Sequence, residues 1–322
     1  MSHGKITLAA AAALGTLLGT VHVQAQEEAP AINNGSVSFT IGADVVTEYW
    51  FRGIQQENQG FILQPYADVT FALVSNEDYT LDGYFGVWNS LHWGDGTSST
   101  PNNPPGSTGN DDVWYEADFF IGGTLGLGDF GIDFGYTNLY GPNAGGEFAE
   151  EIYVGVSYDD SELWGDNFDG VQPYATVIFE IDGGSDGVTG TTGANGRTGE
   201  KGTYLELGIE PTFVLTDSAD YPMTLGVPVT LGLSLDDYYE YVDGAGNIQD
   251  DDFGFLQVGA VVSMPLTMVP AEYGAYEVSA GLYYIMAGEV AEADPFGVTS
   301  GGGFDSGDDD SIFASIGISM SY

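Results

Sequence analysis

The sequence contains no cysteine. That excludes disulfides, thiol chemistry and every cysteine-based metal site. Positive charge is almost as scarce, with four lysine and arginine residues against 48 aspartates and glutamates. Lys5 belongs to the first residues of the chain, so only Arg52, Arg197 and Lys201 bring fixed positive charge to the rest. Nothing in such a chain could neutralise a run of phosphates, which excludes nucleic acid as a partner. Apolar runs long enough for a membrane helix are absent too. The longest, Ile6 to about Leu18, falls short of the ~20 residues a helical span requires. It follows Lys5 and leads to Val23-Gln24-Ala25, a small-residue cleavage pattern, so residues 1–25 read as a secretory signal cut near Ala25. Lacking a membrane helix does not exclude the membrane, because a closed barrel spans it equally well.

What the chain has in quantity is glycine (49), tyrosine (20) and acid. Strong negative charge usually signals disorder, but this chain is also rich in aromatic and β-branched residues. The combination suits a barrel with a wet interior, aromatic girdles and acidic loops; it also suits a protein adapted to a saline habitat, where screening relieves self-repulsion. The final stretch decides which pattern to look for. Ser311 to Tyr322 alternates Ile312, Ala314, Ile316, Ile318, Met320 and Tyr322 with Ser311, Phe313, Ser315, Gly317, Ser319 and Ser321. That is a period-two strand ending on an aromatic at the chain terminus, the form of a C-terminal signal read by a barrel-assembly machinery.

The same alternation recurs along the chain. After a short polar leader, residues 26–35, strands are predicted at about 36–50, 61–73, 81–88, 115–125, 130–136, 152–158, 171–181, 204–213, 225–234, 256–264 and 276–284, with the terminal strand as the twelfth. Connections after odd strands tend to be long and polar, and those after even strands shorter. The first connection (short) and 159–170 (long) break the rule. This predicts a single all-β domain, 36–322: an antiparallel up-and-down transmembrane barrel with long outer loops, shorter periplasmic turns and both chain ends in the periplasm. A secreted β-sandwich is the alternative. Against it stand the apolar face on every strand, the carboxylates opposite, and the aromatic end. Prolines 173, 211 and 228 fall within these strands and lack the ladder donor, which predicts bulges or shifted boundaries there.

One stretch carries a resemblance. Residues 44–73 include Tyr49, Phe51, Arg52 and Gly53, a polar connection, then Gln64 and Pro65. This aromatic-x-x-Arg-Gly hairpin followed by Gln-Pro resembles the TorF-like porin family of bacterial outer membranes. The resemblance covers about 30 residues and implies a barrel and a pore, without a substrate.

The chemistry follows from the polar faces. Asp44, Glu48, Asp68, Asp82, Glu116, Asp118, Asp133, Glu180, Glu206, Glu210 and Glu277 share the inward register, with Glu151, Asp182 and Arg52. Isolated carboxylates in a dry interior would each cost several kcal/mol, so these residues predict a hydrated lumen, bound cations, or both, and a passage that favours cations. Arg52 either pairs with Glu48 and constricts the lumen or anchors the first loop. The alternative is a non-conducting barrel, filled by its own side chains, whose acidic loops meet lipid, ions or other cells. An enzyme is not expected: the only histidine beyond the leader is His92, two residues from Ser90, and a strand-end histidine is an ordinary feature. No cofactor is expected. Asp250, Asp251 and Asp252, and Asp308, Asp309 and Asp310, offer hard oxygen ligands for Ca²⁺ but not EF-hand spacing; as solvated loops they would bridge to lipid headgroups through divalent cations. Expected partners are outer-membrane lipid, the assembly machinery through Tyr322, and small solutes or cations. No oligomer interface is legible.

Overall fold

The computed structural model describes residues 36–58, 60–93, 113–142, 146–164, 168, 170–185, 188–292 and 310–322. The stretches expected to be signal and leader, with Asp308 and Asp309, lie outside the described residues.

Twelve antiparallel strands close into a barrel. They are β1 (Val37–Val46), β2 (Phe61–Ser75), β3 (Thr80–Trp93), β4 (Trp114–Leu127), β5 (Phe130–Gly141), β6 (Gly146–Tyr158), β7 (Tyr174–Gly183), β8 (Thr203–Ile209 continued by Thr212–Thr216), β9 (Met223–Gly226 continued by Val229–Asp236), β10 (Phe253–Pro265), β11 (Ala275–Ala287) and β12 (Asp310–Ser321). Each pairs with its neighbours in sequence, and β12 pairs with β1 to close the ring. The seam is short: seven residue pairs join β1 to β12, against twelve between β11 and β12. Tyr322 extends it, exchanging two backbone hydrogen bonds of 3.0 Å with Phe39 and stacking on the Phe39 ring at 5.4 Å.

The prolines act as their missing N–H demands. Pro211 and Pro228 break β8 and β9, each serving only as an acceptor, from Val227 N–H at 2.9 Å and Gly259 N–H at 2.8 Å. Pro173 precedes β7, so that strand begins at Tyr174 and not Val171.

Period two sorts the side chains. Every strand presents a large apolar residue outward and exposed: Ile41, Leu73, Phe85, Ile121, Phe134, Val154, Phe179, Leu215, Leu235, Val262, Leu282 and Ile316 from β1 to β12. Exposed aromatics flank this band, with Trp93, Trp114 and Tyr140 toward one rim and Tyr79, Phe130, Tyr221 and Tyr273 toward the other. The inward register carries the carboxylates.

The boundary of the first strand is corrected as well. The first strand ends at Val46, not near Trp50. From Thr47 the chain turns into the barrel, where Tyr49–Phe51 and Ile54–Glu57 pair as a separate two-stranded hairpin. All of its aromatic residues, and Arg52, are buried.

Candidate functional site

The inward hairpin organises the lumen. Its turn is Arg52-Gly53, with φ 47° and 84°. Positive φ at both central residues is the geometry of a type I′ turn, whose twist matches the flanking strands. Glycine is required at the second position for a further reason. A Cβ on Gly53 would sit 2.8 Å from the Gly254 carbonyl oxygen of β10, so the tip lies directly against the far wall.

From that tip Arg52 reaches β6. Its Nη1 and Nη2 donate to the two oxygens of Glu151 at 2.6 and 2.8 Å, a bidentate fork. Nη1 also donates to the Tyr238 hydroxyl. The guanidinium carbon lies over the rings of Phe51, Tyr204 and Tyr238 at 4.8, 5.0 and 5.6 Å. Tyr239 donates its hydroxyl to the Arg52 carbonyl at 2.9 Å. Arg52 and Glu151 are each 1 % exposed. This corrects the expected pairing with Glu48. Glu48 sits in the connection beyond β1 and instead accepts from the Trp50 indole at 2.8 Å, from Gln55 at 3.2 Å and from Ser311 of β12 at 2.8 Å. A hairpin rooted between β1 and β2 therefore touches β4 through Tyr49 (2.8 Å to Glu116), β6 through Arg52, and β10 through Gly53. It crosses the lumen from wall to wall.

The other inward acids occupy three settings. Asp44, Asp68, Asp82 and Glu210 are half-buried, along with Thr40 and Thr70. Asp133 accepts from Tyr84 at 2.8 Å and Thr124 at 3.1 Å. Glu206 accepts from Tyr204 at 2.8 Å and Tyr174 at 3.1 Å, and Glu180 from the Ser185 and Gly202 amides at 2.5 and 2.7 Å. Glu116, Asp118 and Glu277 are buried, and each keeps one oxygen without a hydrogen-bond partner. Among the described residues, Arg52 is the one fixed cation inside the barrel wall; Arg197 and Lys201 lie on the loop between β7 and β8.

Ser90 and His92 come together as the spacing allowed. Ser90 Oγ is 2.8 Å from His92 Nε2, and His92 Nδ1 is 3.9 Å from Glu57 of the hairpin. His92 stacks on Tyr115 at 4.4 Å. Ser90 is fully buried, with the Gln64 amide 3.4 Å from its hydroxyl. Among the described residues the hydroxyl is thus enclosed in a packed polar cluster.

The acidic outer loop is built around an arginine. Glu240–Val242 and Ile248–Asp250 form a second small hairpin. Arg197 enters it from the preceding loop, 2.6 Å from Asp237 and 2.7 Å from Glu240, and also paired with Asp250. Asp237, Glu240 and Asp250 lie close enough to share a metal ion, but the guanidinium fills that position. Burial pushes the Glu240 carboxyl up to about 6, against the pull of the Glu200 amide and Arg197. At the hairpin tip, bonds led by the Asn247 N–H hold Asp243 down at about 2. Asp251 caps local backbone, accepting from Phe253 and Glu289 N–H at 3.0 and 2.8 Å. Asp252 gives its carbonyl to Ser234 N–H at 2.9 Å, and the Asp310 carboxylate accepts from Tyr284 at 3.0 Å.

Sequence reasoning named Arg52 and missed its seat. Glu151 stood among many inward acids, and nothing local to Tyr238 and Tyr239 points to Arg52. The signal available was charge balance: one buried cation needs one particular carboxylate, and only the register identifies it.

No family model and no curated protein matches the chain, so the hairpin's likeness to the TorF-like porins rests on its own residues. Among solved structures the chain is similar to an outer-membrane channel of Pseudomonas putida F1 (11% identity, 91% of this chain and 97% of that one, TM-score 0.45). It is also similar to the NanC porin (9%, 87% and 98%, TM-score 0.40) and to LpxR from Salmonella typhimurium (10%, 88% and 99%, TM-score 0.41). At these identities and scores the likenesses do not transfer a function.

Proposed function

We propose that the protein is a channel of the bacterial outer membrane, passing small solutes by diffusion and preferring cations. The membrane reading rests on the exposed apolar residue that each of the twelve strands turns outward. In water such a continuous band would aggregate; in lipid it is the outer face of a barrel. The single observation that carries the cation preference is the charge imbalance of the lumen: eleven predicted lining acids, ten of them on strands or their breaks, with Arg52 the one cation among the described inward residues. Asp68 and Asp82, two of these acids, are half-buried. Carboxylates along a water-filled path raise the local concentration of cations.

The hairpin seated across the lumen favours a second reading, a non-conducting barrel that serves a structural or surface role. Planar-bilayer recordings under a KCl gradient separate the two. Stepwise current reversing toward the K⁺ equilibrium potential supports the channel, with Asp82→Asn and Glu116→Gln each moving the reversal potential toward zero. Stable insertion without current supports the closed barrel.

A further inference from the structure

Every group around Arg52 is one that a free guanidinium would need. Glu151 offers both oxygens in a fork at 2.6 and 2.8 Å. Ser185 steadies that carboxylate, donating to Oε1 at 3.2 Å. The Tyr238 hydroxyl takes a third N–H, and the Tyr204 and Tyr238 rings cover the planar face. These walls belong to β6, β8 and the outer loops. Only the occupant, with Phe51, comes from the hairpin. The hairpin pairs with itself and with no barrel strand, so the tip can leave without breaking the ladder that closes the barrel.

We infer that this seat is a binding site for planar organic cations of the guanidinium class, and that Arg52 is its built-in occupant. A spherical cation would meet the two Glu151 oxygens and the Tyr238 hydroxyl, three ligands where it needs six or more. A quaternary ammonium has no N–H for the fork, whereas a guanidinium satisfies fork and rings together. A guanidinium-bearing solute entering the lumen competes with Arg52 for Glu151, and winning that competition withdraws the hairpin. The site deepens the channel reading, on which its role in transport rests.

The test uses R52A, refolded in detergent, with methylguanidinium as probe. Calorimetric titration gives saturable binding to R52A. Binding is weaker by about tenfold or more in R52A/E151Q, which loses the charge-assisted fork, and similarly weaker for tetramethylammonium. Folding is followed by the heat-modifiable migration of barrels in gels. R52A that folds only when methylguanidinium is present during refolding supports the site equally. The inference is overturned by a folded R52A that does not bind, by equal binding of the two cations, by binding indifferent to E151Q, or by an R52A that methylguanidinium cannot help to fold. Bilayer current on the same preparation keeps the readings apart. R52A that binds the probe yet never conducts removes the channel and leaves the site; R52A that conducts without binding does the reverse.

Discussion

Arg52 and Glu151 are 99 positions apart and both almost fully buried. Removing one charge of such a pair leaves the other without compensation in a poorly hydrated space. Glu151→Gln is therefore expected to lower stability by about 3–5 kcal/mol, read as a lower urea midpoint in detergent. The exposed pair Lys201–Asp182, at 4.0 Å with both side chains largely in solvent, gives the comparison. Asp182→Asn should cost less than about 1 kcal/mol. Equal losses in the two variants would show that the Arg52 fork is not the buried anchor its geometry indicates. The sequence supplied the chemistry of Arg52 but not its partner. Glu48 shares its stretch of chain and looked like the natural mate; the turn at Thr47 carries the arginine away from it and across the lumen.

At the scale of the element, the two hairpins depend on each other, because the second is preceded by Tyr238 and Tyr239, which hold Arg52. The tip of the second turns on Asp243, whose carboxylate accepts from the Ala245 and Asn247 amides at 2.9 and 2.8 Å. Its folded pKa, about 2, lies below the ordinary aspartate value of about 3.9. The stabilisation is thus complete above the unfolded pKa and is lost as pH falls toward the folded one. Hydrogen exchange at those two amides should show protection that holds at pH 6 and declines between about pH 4 and pH 2. Protection unchanged across that window would mean the turn stands without the carboxylate. The strands themselves were legible because period two is a local property. The inward hairpin was not: Tyr49 and Trp50 read as the end of the first strand, since nothing local distinguishes a strand that continues in the wall from one that folds back inside it.

For the whole molecule the weak point is the seam. Seven pairs close β1 on β12, and Tyr322 adds two backbone bonds and a ring stack on Phe39. Deleting Tyr322 should lower the yield of heat-modifiable barrel in refolding, because closure joins the two ends of the chain and its loop entropy is the largest in the fold. A yield equal to wild type would leave Tyr322 with no part in closure, and any role in recognition by the assembly machinery would need its own measurement in cells. The twelve strands, the outward apolar band and the imbalance of charge follow from composition and alternation, which each residue carries wherever it lies. Tertiary structure alone decided which inward acid meets Arg52, that a hairpin reaches across the lumen, and that Arg197 occupies the outer acidic cluster. Those outcomes depend on register and on the path of loops between distant strands, and both are settled only when the barrel closes.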